Sequence, residues 1–105
     1  MIDIPATHPI RNELFSIKDI PQVPNILFWY RQSGQTSEFG KDSREVHFRG
    51  IRDQTGKLIA VMTHNTDIGE TMEMEGSDIN GKFFYKFSPA GYGIAINIFL
   101  YALTH

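Results

Sequence analysis

Between residues 57 and 69 the chain reads KLIAVMTHNTDIG: an unbroken apolar run, Leu58-Ile59-Ala60-Val61-Met62, that stops at Thr63-His64-Asn65-Thr66-Asp67. A run of this kind reads as a strand buried on both faces, and the end of such a strand is where an open α/β sheet presents polar groups to a ligand. We therefore expect an interior strand over residues 58–63, with His64, Asn65 and Asp67 just past its end.

The flanking sequence extends this reading. Residues 46–53 and 57–63 border Gln54-Thr55-Gly56, a hairpin signal with glycine where a left-handed residue is needed. Val46 and Phe48 keep period two, but Ile51 falls out of phase after Gly50, as a bulge would produce. Residues 83–87 (FFYKF) alternate around Phe83, Tyr85 and Phe87 and read as a further strand. Ser88-Pro89 then reads as the N-cap and first residue of a helix over 89–104, with Ile94, Ile98 and Tyr101 in its apolar stripe. Asn97 in that stripe reads as a satisfied buried amide, and Gly91 as a close packing contact or, alternatively, an approach for an anion.

Nearer the N-terminus, residues 1–5 suit a short strand or an extended arm, and Thr7-His8-Pro9 suits the start of one or two helical turns. Pro21 and Pro24 push residues 19–25 into extended backbone. Residues 26–30 (ILFWY) have strong strand preference. Asp78-Ile79-Asn80-Gly81 is turn chemistry, and the acidic run Asp67, Glu70, Glu73, Glu75 reads as a solvated loop. The expected fold is α/β or α+β: a small mixed sheet with an antiparallel hairpin, packed by the C-terminal helix.

Composition sets the bounds on function. A chain of 105 residues with 41% hydrophobic and 21% charged content suits one globular domain, and a formal net charge of -2 gives no pull toward nucleic acid. Having no cysteine excludes disulfides, zinc-thiolate sites and a thiol nucleophile. No secretory signal opens this stretch, and residues 94–103, at 10 residues, fall short of the roughly 20 that cross a bilayer, so we expect a core helix and no transmembrane segment.

The candidate chemistry centres on two places. His64 could act as a general base or metal ligand supported by Asp67. The competing reading is a structural turn in which Asn65 and Asp67 bond nearby backbone, with Asp67 and Glu70 at capping-box spacing. The second place is the loop over residues 31–45, where Ser33, Thr36, Ser37, Glu38 and Arg44, with His47, Arg49 and Asn65, offer hydrogen-bonding groups to a polar small molecule. His8, His47, His64 and His105 lack ligand spacing, so neither a metal nor a cofactor is expected. Ser88 lacks the flanking glycines of a nucleophile elbow.

Three segments resemble one family: Ser33-Gly34-x-Thr36-Ser37-Glu38 with Asp42-Ser43; His64-Asn65-Thr66-Asp67-Ile68-Gly69; and Phe87-Ser88-Pro89-x-Gly91-Tyr92 leading to Asn97 and Tyr101-Ala102-Leu103-Thr104-His105. In this order they are similar to the bacterial family called domain of unknown function 4159. The resemblance implies kinship with the glutamine-amidotransferase-like, flavodoxin-like group and a parent that is exported or membrane-associated. It also implies that residues 1–105 are the C-terminal portion of a larger domain, with strand edges that a second copy could cover. It brings no activity with it, and the missing thiol bars glutaminase chemistry. The expected function is a non-catalytic binding or interaction module for a polar small molecule or a protein partner. The alternative is a hydrolase-like enzyme using His64 and Asp67.

Overall fold

The computed structural model describes residues 1–73 and 81–105. It is an α+β fold built on a three-stranded antiparallel sheet in the order β1 (Ile2–Asp3), β2 (His47–Arg52), β3 (Leu58–His64). Among the described residues three α-helices accompany it: α1 (Ile26–Arg31), α2 (Glu70–Glu73) and α3 (Gly81–Thr104). The expected turn at Asp78, Ile79 and Asn80, and Glu75 of the acidic run, lie outside the described residues.

The hairpin forms as its sequence requires. Gly56 takes φ +89°, and the Asp53 carboxylate accepts from the backbone N–H of Thr55 (2.9 Å) and Lys57 (3.0 Å) and from the Thr55 hydroxyl (2.6 Å). These bonds hold the Asp53 carboxyl below its usual range, the Thr55 hydroxyl contributing most. The bulge lies on the strand opposite the expected one: Ile51 pairs with Ala60 and Arg52 with Leu58, leaving Ile59 of β3 as the extra residue, and Ile51 is out of phase with Phe48 because it faces outward, 44% exposed.

The position of β3 corrects the sequence reading. The strand exists, but it is the edge of the sheet and β2 is the centre. Leu58 is buried, whereas Ile59 and Met62 are 64% and 37% exposed, so the apolar run is not explained by burial on both faces within these residues.

Two other expected strands are helices. Residues 26–30 form α1 because Asn25 caps it, its side-chain oxygen accepting from the N–H of Leu27 (2.9 Å) and Phe28 (3.4 Å). Residues 83–87 belong to α3, which starts eight positions before Pro89. Phe83, Phe84, Phe87, Gly91, Ile94 and Tyr101 are buried at helical spacing while Tyr85 is 89% exposed, so a period of 3.6 overrides the apparent period of two. Ser88 is therefore no N-cap. It lies buried in mid-helix and donates to the carbonyl of Thr71 (2.6 Å). Pro89 removes the bond to the carbonyl of Tyr85, on the outer face where water can replace it.

The inner face of α3 is the floor of the core. Phe83 and Phe87 pack edge-on against Trp29 at 5.7 and 5.8 Å. Asn97, 1% exposed, accepts from the N–H of Leu14 and Phe15 (3.0 Å each) and donates to the carbonyl of Phe15 (2.7 Å), as expected of a satisfied buried amide. Tyr101 accepts through its hydroxyl from the N–H of Leu58 (3.0 Å), tying helix to sheet. Over Lys82–Thr104 the helix is long and apolar enough to cross a membrane by length and composition, with 39% of that window buried. The 10-residue count from the sequence is thus superseded, and one such helix is weak evidence for a span when its inner face is built into a core.

One further polar hub sits under the N-terminal turn. A 3-10 turn at Pro9–Arg11 is capped by His8, whose Nδ1 accepts from the N–H of Ile10 (3.1 Å). The buried Arg11 guanidinium donates to the carbonyls of Ile4 (3.0 Å), Ile17 (3.0 Å) and Lys18, gathering three stretches of chain with one side chain.

Two outcomes follow from this packing. A Cβ on Gly91 would lie 1.9 Å from Thr71 Oγ1 and 2.5 Å from Thr71 Cβ, so Gly91→Ala must force α2 off α3. It should cost about 2 kcal/mol or more in denaturant unfolding, whereas a gain of about 1 kcal/mol, the helix-propensity effect alone, would contradict the close approach. Separately, burial, with His105 and Arg52 nearby, holds the His8 imidazole below its ordinary 6.5. The unfolded chain then binds the proton more tightly, so this contribution to stability is full above about pH 6.5 and lost as pH falls below it. His8→Asn, which keeps an acceptor for Ile10, should flatten that dependence in melting curves taken across the range.

Candidate functional site

Strand β3 ends at His64, and the chain then turns sharply through Asn65 at φ +60°. The turn is anchored to the extended segment between Pro21 and Pro24. Thr66 Oγ1 donates to the carbonyl of Pro21 and accepts from the N–H of Val23, both at 2.7 Å, and the N–H of Asp67 donates to the carbonyl of Val23 (2.7 Å). Asp67 Oδ1 accepts from the N–H of Glu70 (3.2 Å) and so opens α2. Half of the capping box is formed; the Glu70 carboxylate instead accepts from the N–H of Ile26 (3.4 Å). The Asn65 side chain donates to the carbonyl of Glu45 (2.7 Å).

His64 is exposed, and its ring lies 5.7 Å from that of His47, its partner across the hairpin. Among the described residues no hydrogen bond or ion pair joins His64 to Asp67. His47 also approaches Glu45 (3.5 Å), and Arg49 pairs with Asp3 (2.8 Å), which holds the Asp3 carboxyl below its usual range. His47, Arg49 and His64 therefore share the outer face of the sheet. Among the described residues no group of three His, Asp or Glu comes together in a way that could hold a metal.

The loop over residues 31–45 is ordered by a side chain that sequence reasoning passed over. Gln22 donates to the carbonyls of Ser43 (2.6 Å) and Asn65 (3.1 Å) and accepts from the Thr36 hydroxyl (2.8 Å). It thus joins the loop to the turn after β3. Within the loop the buried Ser43 hydroxyl accepts from the N–H of Phe39 (2.7 Å) and pairs with the Ser37 hydroxyl (2.7 Å), and Ser37 donates to the carbonyl of Gly40. The signal that could have found Gln22 is its setting: a long amide between two prolines has little local backbone to bond and must reach other segments.

Above this network lies an open polar depression of ≈ 440 Å³, with Gln22, Gln35, Thr36, Ser37 and Arg44 in its lining. Of the residues expected to bind a ligand, Thr36, Ser37 and Arg44 meet here. Ser33, at φ +55°, and Glu38 are exposed elsewhere on the loop, Asn65 contributes through its backbone carbonyl, and His47 and Arg49 are on the sheet face. A second, apolar groove of ≈ 330 Å³ runs between β3 and α3, lined by Leu58, Ile59, Val61, Ile98 and Tyr101 among others. It carries no catalytic chemistry.

No curated protein and no solved structure gives a significant match to this chain. A family model does, over residues 1–103, which takes in the first two motifs described above and the third as far as Leu103. The chain belongs to the family described as Domain of unknown function (DUF4159).

Proposed function

We propose that this domain is a non-catalytic binding module whose site is the polar depression lined by the 31–45 loop and Gln22, and that its ligand is a small polar molecule bearing a carboxylate or phosphate. The observation that carries this reading is the Gln22 amide, which spends its hydrogen bonds on Ser43, Asn65 and Thr36 and so fixes the floor of the depression before any ligand arrives. Arg44 lines the depression, is exposed, and makes no ion pair among the described residues, unlike Arg49. A guanidinium so placed can grip an anionic group through two parallel bonds, while Thr36, Ser37 and Gln35 meet hydroxyls or amides.

The hydrolase-like alternative has less behind it. Asp67 Oδ1 is engaged by the N–H of Glu70, and the His64 ring faces His47, so the two lack the mutual bond that a base and its orienting carboxylate need. Kinship with the amidotransferase-like, flavodoxin-like group rests on the sequence motifs; we take from it no chemistry, since those folds are built on parallel strands and these three pair antiparallel.

Titration of isotope-labelled protein with inorganic phosphate and with succinate, followed by amide NMR shifts, should perturb Gln35, Thr36, Ser37 and Arg44. Arg44→Ala should weaken that binding by about tenfold, or ~1.4 kcal/mol. Shifts confined to other surfaces, or unchanged affinity in Arg44→Ala, would refute the assignment.

A further inference from the structure

A surface helix carries charged residues along its exposed side, and α3 carries them only near its start, at Lys82 and Lys86. From residue 87 to residue 104 there is no Asp, Glu, Lys or Arg. Opposite the buried Phe83, Phe87, Ile94 and Tyr101, the outer face presents Tyr85, Pro89, Tyr92, Ile96, Phe99 and Leu103, all exposed. Their spacing is 4-3-4-3-4, the alternation by which one helix seats its side chains between those of a second helix.

We propose that this seam is the contact between two copies of the chain, with their α3 helices packed antiparallel about a two-fold axis. The sequence is self-complementary in that arrangement. Centred on Ile94, it sets Tyr85 against Leu103, Pro89 against Phe99 and Tyr92 against Ile96 of the other copy, so each large side chain meets an apolar partner. Charge selects the direction. Lys82 and Lys86 sit at the N-terminal end of α3, where the helix dipole is unfavourable to a cation, and α3 has no acidic residue in its first turn. Antiparallel packing brings Lys82 to the partner's C-terminal end, where the dipole favours it, while Lys86 Nζ rests over the Trp29 and Phe87 rings of its own chain (6.0 and 5.4 Å); parallel packing would set the two Lys82 side chains side by side.

The area suffices. With exposures of 89% at Tyr85, 39% at Tyr92, 37% at Ile96, 64% at Phe99 and 68% at Leu103, and roughly 150–250 Å² for an aromatic side chain, the seam offers on the order of 600 Å² per chain. A pair would then bury roughly 1,200 Å², at the threshold of a specific interface. The inference goes beyond the binding reading and uses a different face, so either can fail without the other.

Sedimentation velocity should find a dimer at micromolar concentration. Ile96→Glu and Phe99→Glu, both at exposed positions, should each raise the dissociation constant at least about tenfold with unchanged far-UV circular dichroism. Because the chain has no cysteine, Tyr85→Cys and Leu103→Cys chains provide unique thiols. Mixed and oxidised, they should cross-link to each other, while neither alone should do so efficiently. A monomer at all concentrations, cross-linking of each variant to itself, or binding to phosphatidylcholine vesicles without dimerisation would each overturn the proposal.

Discussion

The rest of the structure depends on the inner face of α3. A three-stranded sheet with a two-residue outer strand buries too little to stand alone, and α3 supplies the missing surface: Ile98 and Tyr101 lie along β3, while Phe83 and Phe87 pack against Trp29 of α1. The helix also provides polar fasteners where packing alone would leave the chain unregistered. Asn97 grips Leu14 and Phe15, and Tyr101 holds the first amide of β3. Each satisfies backbone N–H groups that make no ladder bond, and loss of the Tyr101 hydroxyl would leave the buried Leu58 amide without a partner.

That dependence explains which parts of the fold the sequence makes legible. Where a local signal and the global packing agree, the reading holds: the Gln54-Thr55-Gly56 turn, the capping side chain of Asp67, the helical turn begun at Pro9 and the buried Asn97 amide all follow from side-chain chemistry acting within a few residues or from one apolar stripe. Where strand propensity competes with packing, it loses. The ILFWY run has β preference throughout, yet one asparagine ahead of it closes a helical turn and Ile26 and Trp29 find the core from there. FFYKF alternates over five residues, but its aromatics continue in helical phase through Gly91 and Ile94, and the Ser88-Pro89 pair imitates a helix start inside a longer helix. The apolar run of β3 misled in another way: it signals something to be covered, and burial between neighbouring strands is only one way of covering it.

The candidate site is legible in part for a similar reason. Residues of the 31–45 loop were identifiable by type, since hydroxyls, an amide and an arginine in a long loop suit polar contacts. Which of them converge was not, because convergence is set by Gln22, distant in sequence and unremarkable in composition. His64 and Asp67 sit where an α/β strand end would place catalytic groups, but an edge strand in an antiparallel sheet has no such crevice, and the turn side chains are spent on structure: Asn65 on Glu45, Thr66 on Pro21 and Val23, Asp67 on the start of α2.

The claim that α3 fastens otherwise irregular chain is tested most directly by native-state hydrogen exchange at the amides of Leu14 and Phe15. Both lie outside helix and strand, and among the described residues their N–H groups bond only to the Asn97 side chain. The account predicts exchange slowed on the order of a thousand-fold relative to an unstructured peptide, comparable with the β2–β3 ladder. Exchange at the rate of an open loop would contradict it.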